Sequence, residues 1–249
     1  MSDAEGHAGS EGAPGGVLDG ALALVAGATR GIGAASARLL ADAGAELVLL
    51  ARTEADLEAM ADEIGGRVLP ADLSRPESVD AAVGDLLDDG AVPDLVVNAA
   101  GVFDLEPASG VSRKSLDRNL DVNLRGAILL VRALLPSMLV RGSGLIVSVG
   151  SVAGRKAFPG NAAYSASKYG LRGFHEVLLE ELRGTGVRAT LLEPAAVDTE
   201  IWDPLAPDER DDLPSREQML RPEDVAEAVL FACTRPPGVQ IPFLPVEKA

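Results

Sequence analysis

The chain reads Leu22-Ala23-Leu24-Val25-Ala26-Gly27-Ala28-Thr29-Arg30-Gly31-Ile32-Gly33 near its start, and this stretch decides the fold. The continuous apolar run over residues 22–27 predicts a strand that is buried on both faces, as in a parallel sheet. A helical pattern follows from Ala34 to Ala43 and stops at Gly44. Glycines allow close backbone approach, and a helix N-terminus offers unpaired N–H groups to an anion. The stretch therefore predicts a turn that binds a pyrophosphate; the alternative is a glycine-rich turn without a ligand.

The rest of the chain continues this alternation of strands and helices. Five further strands are predicted over residues 46–51, 67–70, 94–98, 145–149 and 187–193. Helices are predicted over residues 34–43, 54–64, 78–87, 112–140 and 222–233, with another that begins near Tyr164. Pro136 should kink or break the long helix. Right-handed crossovers then give a single α/β Rossmann fold, a doubly wound parallel sheet ordered 3-2-1-4-5-6.

The two ends of the chain and one internal segment differ from this pattern. Residues 1–17 are Gly, Ser, Ala and Glu with little to bury, which predicts a disordered tail before a domain that spans residues 18–249. Residues 196–220 hold several Pro and Asp without a steady period, and we interpret them as a substrate loop. A seventh strand is possible within residues 239–246, although its prolines restrict it to a sheet edge.

A second informative pattern lies in the middle of the chain. Tyr164 and Lys168 are four residues apart at the entry to a helix-compatible stretch, so one turn places both side chains on one face. A tyrosine phenol has a pKa of about 10, and a nearby ammonium lowers it and makes the group usable as a general acid/base. Ser151 follows the fifth strand and could bond the same oxygen. Because such a pair usually lies on a surface, the hypothesis depends on the predicted anion site.

Composition excludes several classes of function. The 249 residues hold 22 Lys and Arg against 38 Asp and Glu, a net charge of −16, which should repel nucleic acid and anionic membranes. Two His and one Cys do not suit a transition-metal site. No apolar run approaches the roughly 20 residues of a membrane span, and no secretory signal is recognisable. The single Cys233 fits a reducing compartment, so we expect a cytoplasmic protein. The acidic composition also suits a high-salt cytoplasm, which is a hypothesis.

Five elements occur in the order and spacing of the short-chain dehydrogenase/reductase family, which the chain resembles from about residue 18 to residue 235. They are Gly27-x-x-x-Gly31-Ile32-Gly33, Asn98-Ala99-Ala100-Gly101, Asn123, Ser151 and Tyr164-x-x-x-Lys168. The resemblance implies hydride transfer between a nicotinamide cofactor and a small alcohol or carbonyl substrate, by a homodimer or homotetramer. The C-terminus lacks the usual Asp-Gly-Gly ending of the family, which weakens the expectation of the tetramer contact.

The resemblance also assigns roles to individual residues. Tyr164 exchanges a proton with the substrate oxygen, Ser151 orients that oxygen, and Lys168 lowers the tyrosine pKa and holds the nicotinamide ribose. Asn123 anchors a water for proton relay, or it merely bonds neighbouring backbone. Cofactor contacts are expected from Gly27, Thr29, Arg30, Gly31, Ile32, Gly33, Arg52, Asp72, Leu73, Asn98, Ala99, Gly101, Tyr164, Lys168, Pro194, Val197 and Thr199. Asp72 matches the position that contacts the adenine amino group; alternatively, it caps the following turn.

The predicted cofactor is NADP(H) in preference to NAD(H). NAD sites of this fold carry an acidic residue at the end of the second strand, and that position is Ala51 here. Arg52 follows directly, and Arg30 lies inside the glycine turn. Two guanidinium groups suit a 2′-phosphate, since Arg offers planar donors to phosphate oxygens. The alternative is two ordinary surface arginines.

Two departures from the family pattern concern the first and fourth strands. Ala26 and Ala99 replace the usual Thr and Asn, whose polar groups we suppose normally help to tie these strands together. Replacing both hydrogen-bond partners by apolar residues lowers the stability of the fold far less than replacing one of them, because no buried polar group is left unpaired.

The substrate is predicted only by class. Phe158, Trp202 and the 196–220 loop are expected to line an apolar pocket for a small or medium carbonyl compound, together with Ser151 and Tyr164; both aromatic residues could instead serve packing. Two other functions are compatible with parts of this pattern. An NADP-binding sensor or scaffold of the same fold would be expected to lose the Tyr or the Lys. A nucleotide-sugar epimerase would need a longer substrate domain than the residues after 200 provide.

Overall fold

A computed structural model describes residues 15–249 of the chain. Residues 1–14 of the expected disordered tail lie outside the described residues. At the start of the described part, the Gly16 carbonyl accepts a hydrogen bond from the Asp19 amide at 3.1 Å. Leu18 is buried, and its amide donates to the Ala43 carbonyl at 2.8 Å. The ordered domain thus begins with a turn that packs beside the end of the first helix.

All seven strands of the described chain form one parallel sheet, in the order β3-β2-β1-β4-β5-β6-β7. They are β1 (Leu22–Ala26), β2 (Glu46–Ala51), β3 (Arg67–Pro70), β4 (Leu95–Asn98), β5 (Gly144–Val149), β6 (Val187–Pro194) and β7 (Phe243–Val246). This arrangement confirms the predicted Rossmann-type α/β fold. The possible seventh strand is present at the edge beside β6, where Pro245 is tolerated because one side of the strand has no ladder to complete.

Helices cover both faces of the sheet. They are α1 (Gly31–Asp42), α2 (Glu54–Ile64), α3 (Pro76–Asp88), α4 (Arg113–Leu120), α5 (Ala127–Arg141), α6 (Ala162–Glu181) and α7 (Pro222–Cys233). Successive strand residues point to opposite faces, so Ala23 and Val25 of β1 join the core with α1, α2 and α7, whereas Leu24 and Ala26 join the core with α3, α5 and α6. Burial on both faces explains why β1 is continuously apolar rather than alternating.

The long helix is irregular, but at a different place from the one predicted. α4 and α5 are joined without a break by a π-helical turn over Asp121–Gly126. The expected break at Pro136 is wrong, because Pro136 lies inside the uninterrupted helix α5, whereas a kink there stays a prediction. Proline removes one amide donor, while the packing of this segment stays intact: Leu134 and Met138, on either side of the proline, are fully buried. Wide turns of this kind are frequent at functional sites.

The combined helix, Arg113–Arg141, is long and apolar enough by length and composition to cross a membrane, with an 18-residue window of mean hydropathy 1.4. This differs from the expectation that no segment would qualify. Its most apolar part has a place in the protein core, because Leu130, Leu134 and Met138 pack with side chains of β1, β2 and β4. The core helix of a globular protein passes the same test as a membrane span.

Strands β1 and β4 are joined through the backbone at the two alanines noted above. The Ala99 amide donates to the Ala26 carbonyl at 2.9 Å. The main chain therefore ties the strands at this point without the polar side chains that are usual there.

Candidate active site

A cavity of about 590 Å³ opens across the carboxyl ends of the strands. Its wall contains nearly all the residues that the sequence pointed to for cofactor, catalysis and substrate. Three of them, Gly33, Asn98 and Asn123, do not line it. Among residues 15–249, no group of three or more His, Cys, Asp or Glu side chains is arranged to hold a metal ion.

The glycine turn owes its shape to close backbone contacts. Gly27 has a φ of +80°, and a Cβ there would lie 2.8 Å from the Ala100 amide nitrogen. A Cβ on Gly33 would lie 2.0 Å from the Gly27 carbonyl oxygen. No side chain caps α1, which begins at Gly31, so its first amides remain available where Gly31 and Ile32 line the cavity. The turn is therefore built to accept an anion against backbone.

Asn98 ends β4 beneath this wall. Its side chain is buried, and its Oδ1 has no hydrogen-bond partner among the described residues. A buried unpaired acceptor is rare in a folded protein and calls for a partner. Because Asn98 does not line the cavity, this oxygen lies inside the protein behind the wall.

Tyr164 and Lys168 share one face of the first turns of α6, as predicted. The Lys168 Nζ lies 5.7 Å from the centroid of the Tyr164 ring and donates a hydrogen bond to the Val149 carbonyl at 2.9 Å. Burial lowers the pKa of Lys168 to about 8. Burial also raises the pKa of Tyr164, and a hydrogen bond with the Ser151 side chain opposes this rise only in part.

This result corrects one expectation. We expected the ammonium to bring the tyrosine pKa below its usual value, whereas the protein alone raises it. Removal of the phenol from water disfavours the phenolate, and this effect on the pKa outweighs that of the hydrogen bond with Ser151. The buried Lys168 ammonium is itself held by the Val149 carbonyl. The phenol is thus kept in its protonated form, which is the form that donates.

Ser151 reaches the site from the loop after β5. Its hydroxyl caps a short 3₁₀ turn, Val152–Gly154, by accepting a hydrogen bond from the Ala153 amide at 3.1 Å. Gly154 lets this turn lie against α6, because a Cβ there would be 2.9 Å from the Lys168 carbonyl oxygen. Close packing of the turn on the helix therefore sets Ser151 beside Tyr164.

The Asn123 side chain is engaged in hydrogen bonds below the site. Its Oδ1 accepts from the Val102 amide at 2.8 Å, and its Nδ2 lies within bonding distance of the Val102 carbonyl (2.9 Å) and the Ser167 Oγ (3.1 Å). Ser167, which the sequence analysis missed, donates in turn to the Tyr164 carbonyl at 2.7 Å. The Asn123 side chain therefore bonds neighbouring backbone, which was the alternative to anchoring a water. These bonds link the segment after β4 to α6. A role in proton relay stays a prediction.

The sequence left two roles open for Asp72, an adenine contact and a cap on the following turn. Its Oδ1 accepts from the Ser74 amide at 2.9 Å and from the Ser74 hydroxyl at 2.7 Å, so it does cap the following turn. Asp72 also lines the cavity beside Leu73, where an adenine contact would be made. The two roles are compatible, because a carboxylate has a second oxygen.

An aromatic cluster covers the catalytic tyrosine candidate, and its central member was not predicted. Phe103 makes edge-to-face contacts with Tyr164 (centroids 4.8 Å apart) and with Trp202 (5.0 Å). Both predicted substrate residues, Phe158 and Trp202, line the same cavity. The sequence could have indicated Phe103 by its position, because it comes two residues after Gly101, at the carboxyl edge of the sheet.

The 196–220 loop is more ordered than its sequence predicts. It contains three 3₁₀ turns, Glu200–Leu205, Pro207–Glu209 and Arg216–Gln218, and its two ends are paired: the Leu220 amide donates to the Ala196 carbonyl at 2.9 Å. One guanidinium organises its interior. Arg216 contacts the carboxylates of Asp198, Asp203 (2.5 Å) and Asp208 (3.9 Å).

Arg216→Ala should loosen this loop. Three aspartates would lose their shared cation and repel one another, so we expect the KM for substrate to rise about tenfold, which corresponds to about 1.4 kcal/mol. Steady-state kinetics and limited proteolysis measure the effect. Arg210→Ala is the matched control, because Arg210 lies in the same loop and pairs with Asp212. Equal behaviour of the two variants would argue against an organising role for Arg216.

Comparison with known proteins agrees with this geometry. The family model described as short chain dehydrogenase matches residues 21–210. An uncharacterized oxidoreductase of Staphylococcus aureus (strain MW2) is 33% identical over 228 residues, which cover 90% of this chain and 96% of that protein.

Two solved structures are similar over the same range. The closed form of a serine dehydrogenase complexed with NADP⁺ has a TM-score of 0.83 and 30% identity, covering 90% of this chain and 94% of that one. A metagenomic short-chain oxidoreductase in complex with NADP has a TM-score of 0.79 and 33% identity, covering 94% and 99%. This chain therefore belongs to the short-chain dehydrogenase family and is an oxidoreductase.

Proposed function

We propose that this oxidoreductase uses NADP(H) in preference to NAD(H) and transfers hydride between the nicotinamide and a carbonyl or alcohol substrate, with Tyr164 as the general acid/base. The observation that carries the proposal is that the candidate catalytic residues and the candidate cofactor residues line one cavity. Ser151, Tyr164 and Lys168 line one end of it, and the glycine turn with Arg30 and Arg52 lines the other.

The residues present fit a nicotinamide dinucleotide. The backbone turn at Gly27 to Gly33 and the uncapped start of α1 suit the pyrophosphate. Lys168, which lines the cavity, is proposed to hold the ribose hydroxyls. When bound, the cofactor supplies or accepts the hydride.

The protein's own part in the reaction is to move one proton. In reduction, Tyr164 donates its phenolic proton to the substrate oxygen; in oxidation, the phenolate removes it. Burial keeps the pKa of the phenol raised, which favours the donating form. The Lys168 ammonium stabilises the phenolate as it forms, because a nearby opposite charge favours the ionised state. Ser151 donates a hydrogen bond to the same substrate oxygen and orients it.

The cofactor preference rests on Arg30 and Arg52. Both line the cavity, both are exposed, and neither makes a salt bridge with an acidic residue of the described chain. In a protein with a net charge of −16, two arginines beyond the ends of β1 and β2 that pair with no carboxylate of residues 15–249 support a bound anion. Their guanidinium groups match phosphate geometry.

The double variant Arg30→Ala/Arg52→Ala should reverse this preference. We expect kcat/KM for NADPH to fall by at least tenfold, because two charge-assisted contacts to the 2′-phosphate are lost. The kcat/KM for NADH, which lacks that phosphate, should change little. Initial rates with NADPH and with NADH, measured for the unaltered enzyme and the double variant, give these kcat/KM values. Comparable efficiency of the two cofactors in the unaltered enzyme would contradict the assignment.

The proposed function is tested by a panel of carbonyl compounds with NADPH absorbance as the readout and Tyr164→Phe as the control. The alternative is a sensor or scaffold that binds NADP with little turnover. Cofactor binding without oxidation of NADPH by any compound would favour that alternative. Assembly as a homodimer or homotetramer and a cytoplasmic location remain part of the proposal.

A further inference from the structure

The cavity differs in charge between its two ends. Arg30 and Arg52 follow β1 and β2, at the end assigned to the cofactor. Apart from Lys168, the lining residues of the described chain that follow β4, β5 and β6 include no arginine and no lysine. The charged residues that they do include are the carboxylates Glu200 and Asp212. The end where the substrate lies therefore offers no counter-ion to an anion apart from Lys168, which donates to the Val149 carbonyl.

Cations outside the lining are engaged elsewhere. Arg155 pairs with Glu247 at 2.6 Å, and Arg210 pairs with Asp212 at 2.7 Å. The Lys156 ammonium lies over the Phe158 ring, 5.5 Å from its centroid, and Lys156 does not line the cavity. None of these groups is placed at the wall to receive a carboxylate or a phosphate.

Apolar and aromatic side chains form most of the rest of this end, beside the uncharged polar residues Asn161 and Thr199. Phe103 stands with its ring edge-on to both Tyr164 and Trp202, so the candidate proton donor lies beside two aromatic rings. Other apolar members of the wall are Leu105, Phe158, Leu213 and Pro214. Aromatic walls of this kind favour a ring, because edge-to-face and offset contacts add to the burial of apolar area.

We infer that the substrate end of the cavity selects uncharged carbonyl compounds that carry an aromatic or alicyclic ring, and that it discriminates against carboxylates and phosphates. This rests on the proposed carbonyl chemistry for the reaction, but the recognition itself is a property of the wall. Desolvation of an ionised group without a partner is strongly unfavourable. The carboxylate of Glu200 adds like-charge repulsion, whereas that of Asp212 is paired with Arg210.

A pair of compounds that differ only in charge tests the inference. Methyl benzoylformate and benzoylformate share the ring and the ketone, and only the second is ionised at pH 7. Trp202 is the only tryptophan of the chain, so its fluorescence reports events at this wall. Binding is titrated in the presence of NADP⁺, which cannot reduce a ketone. We expect the ester to alter the Trp202 emission with a Kd at least tenfold lower than that of the acid.

Kinetics and one pair of variants complete the test. With NADPH, kcat/KM should be at least tenfold higher for the ester than for the acid. Leu213→Lys places a cation in the wall and should narrow that ratio, whereas the uncharged control Leu213→Met should preserve it. Equal or tighter binding of the acid, or no response of Trp202 to either compound, overturns the inference. Binding of the ester without any NADPH oxidation supports the inference and overturns the proposed function instead.

Discussion

Tyr164→Phe should lower kcat/KM by about a thousandfold and leave NADPH binding unchanged. In the proposed mechanism, the substitution removes the proton that passes to the substrate oxygen, and general acid catalysis of this kind typically contributes 10²- to 10⁴-fold. The remaining ring keeps its edge contact with Phe103, at 4.8 Å in the unaltered protein, so the wall of the site should stay intact. Steady-state kinetics measure the first effect, and titration of NADPH fluorescence measures the second.

The chain supplies its own control for this experiment. Tyr169 is the other tyrosine, lies on the same helix, is 47% exposed and does not line the cavity. Tyr169→Phe should therefore keep nearly full activity. If Tyr164→Phe retained activity comparable to that of Tyr169→Phe, the assignment of Tyr164 as proton donor would be wrong.

Gly33→Ala should destabilise the protein by about 3 kcal/mol and weaken NADPH binding at least tenfold. The added Cβ would stand 2.0 Å from the Gly27 carbonyl oxygen, and both partners are backbone, so neither can rotate away. Relief of the clash requires the start of α1 to move from β1. Such a movement displaces the amides at the start of α1 that we propose hold the pyrophosphate. Urea denaturation and NADPH titration measure the two effects.

Gly173→Ala separates this clash from the general effect of replacing glycine in a helix. Gly173 lies inside α6, and a Cβ there would have no atom within 4 Å. Alanine should stabilise such a position by about 0.5–1 kcal/mol, because glycine carries more conformational entropy in the unfolded chain. A stable Gly33→Ala protein with normal NADPH affinity would show that the contact is not needed.

Much of the fold was predictable from local patterns. β2, β3, α2 and α7 have the same bounds in the structure as in the sequence analysis. Their apolar runs are short and are bounded by Gly, Pro or charged residues, and each type of element has its own period. Helix starts were less accurate: α1 begins at Gly31 rather than Ala34, because its first turn consists of the glycines that also form the anion turn.

What the sequence missed depends on tertiary contacts. The contact of Phe103 with Trp202 joins segments about a hundred residues apart in the chain, and no period records it. The sequence pattern also does not predict the cluster around Arg216, because its three aspartates come together with the arginine only in the folded loop. The raised pKa of Tyr164 follows from burial, which a spacing of four residues cannot reveal. Spacing indicated which groups meet, but not how the protein around them changes their chemistry.

The π turn in the long helix explains how one side of that helix stays buried. Buried positions recur every four residues from Ser115 through Asn119, Asn123 and Ala127 to Val131. In an unbroken α-helix each such step would rotate the buried position by about 40° around the axis, so four steps would carry it nearly to the opposite side. A turn closed by longer-range hydrogen bonds holds more residues and rotates less per residue. Over the six residues 121–126 this difference amounts to about one residue's rotation, or about 100°. If the same residues formed a regular α-helix, the apolar face of α5 would be turned by that angle away from the sheet.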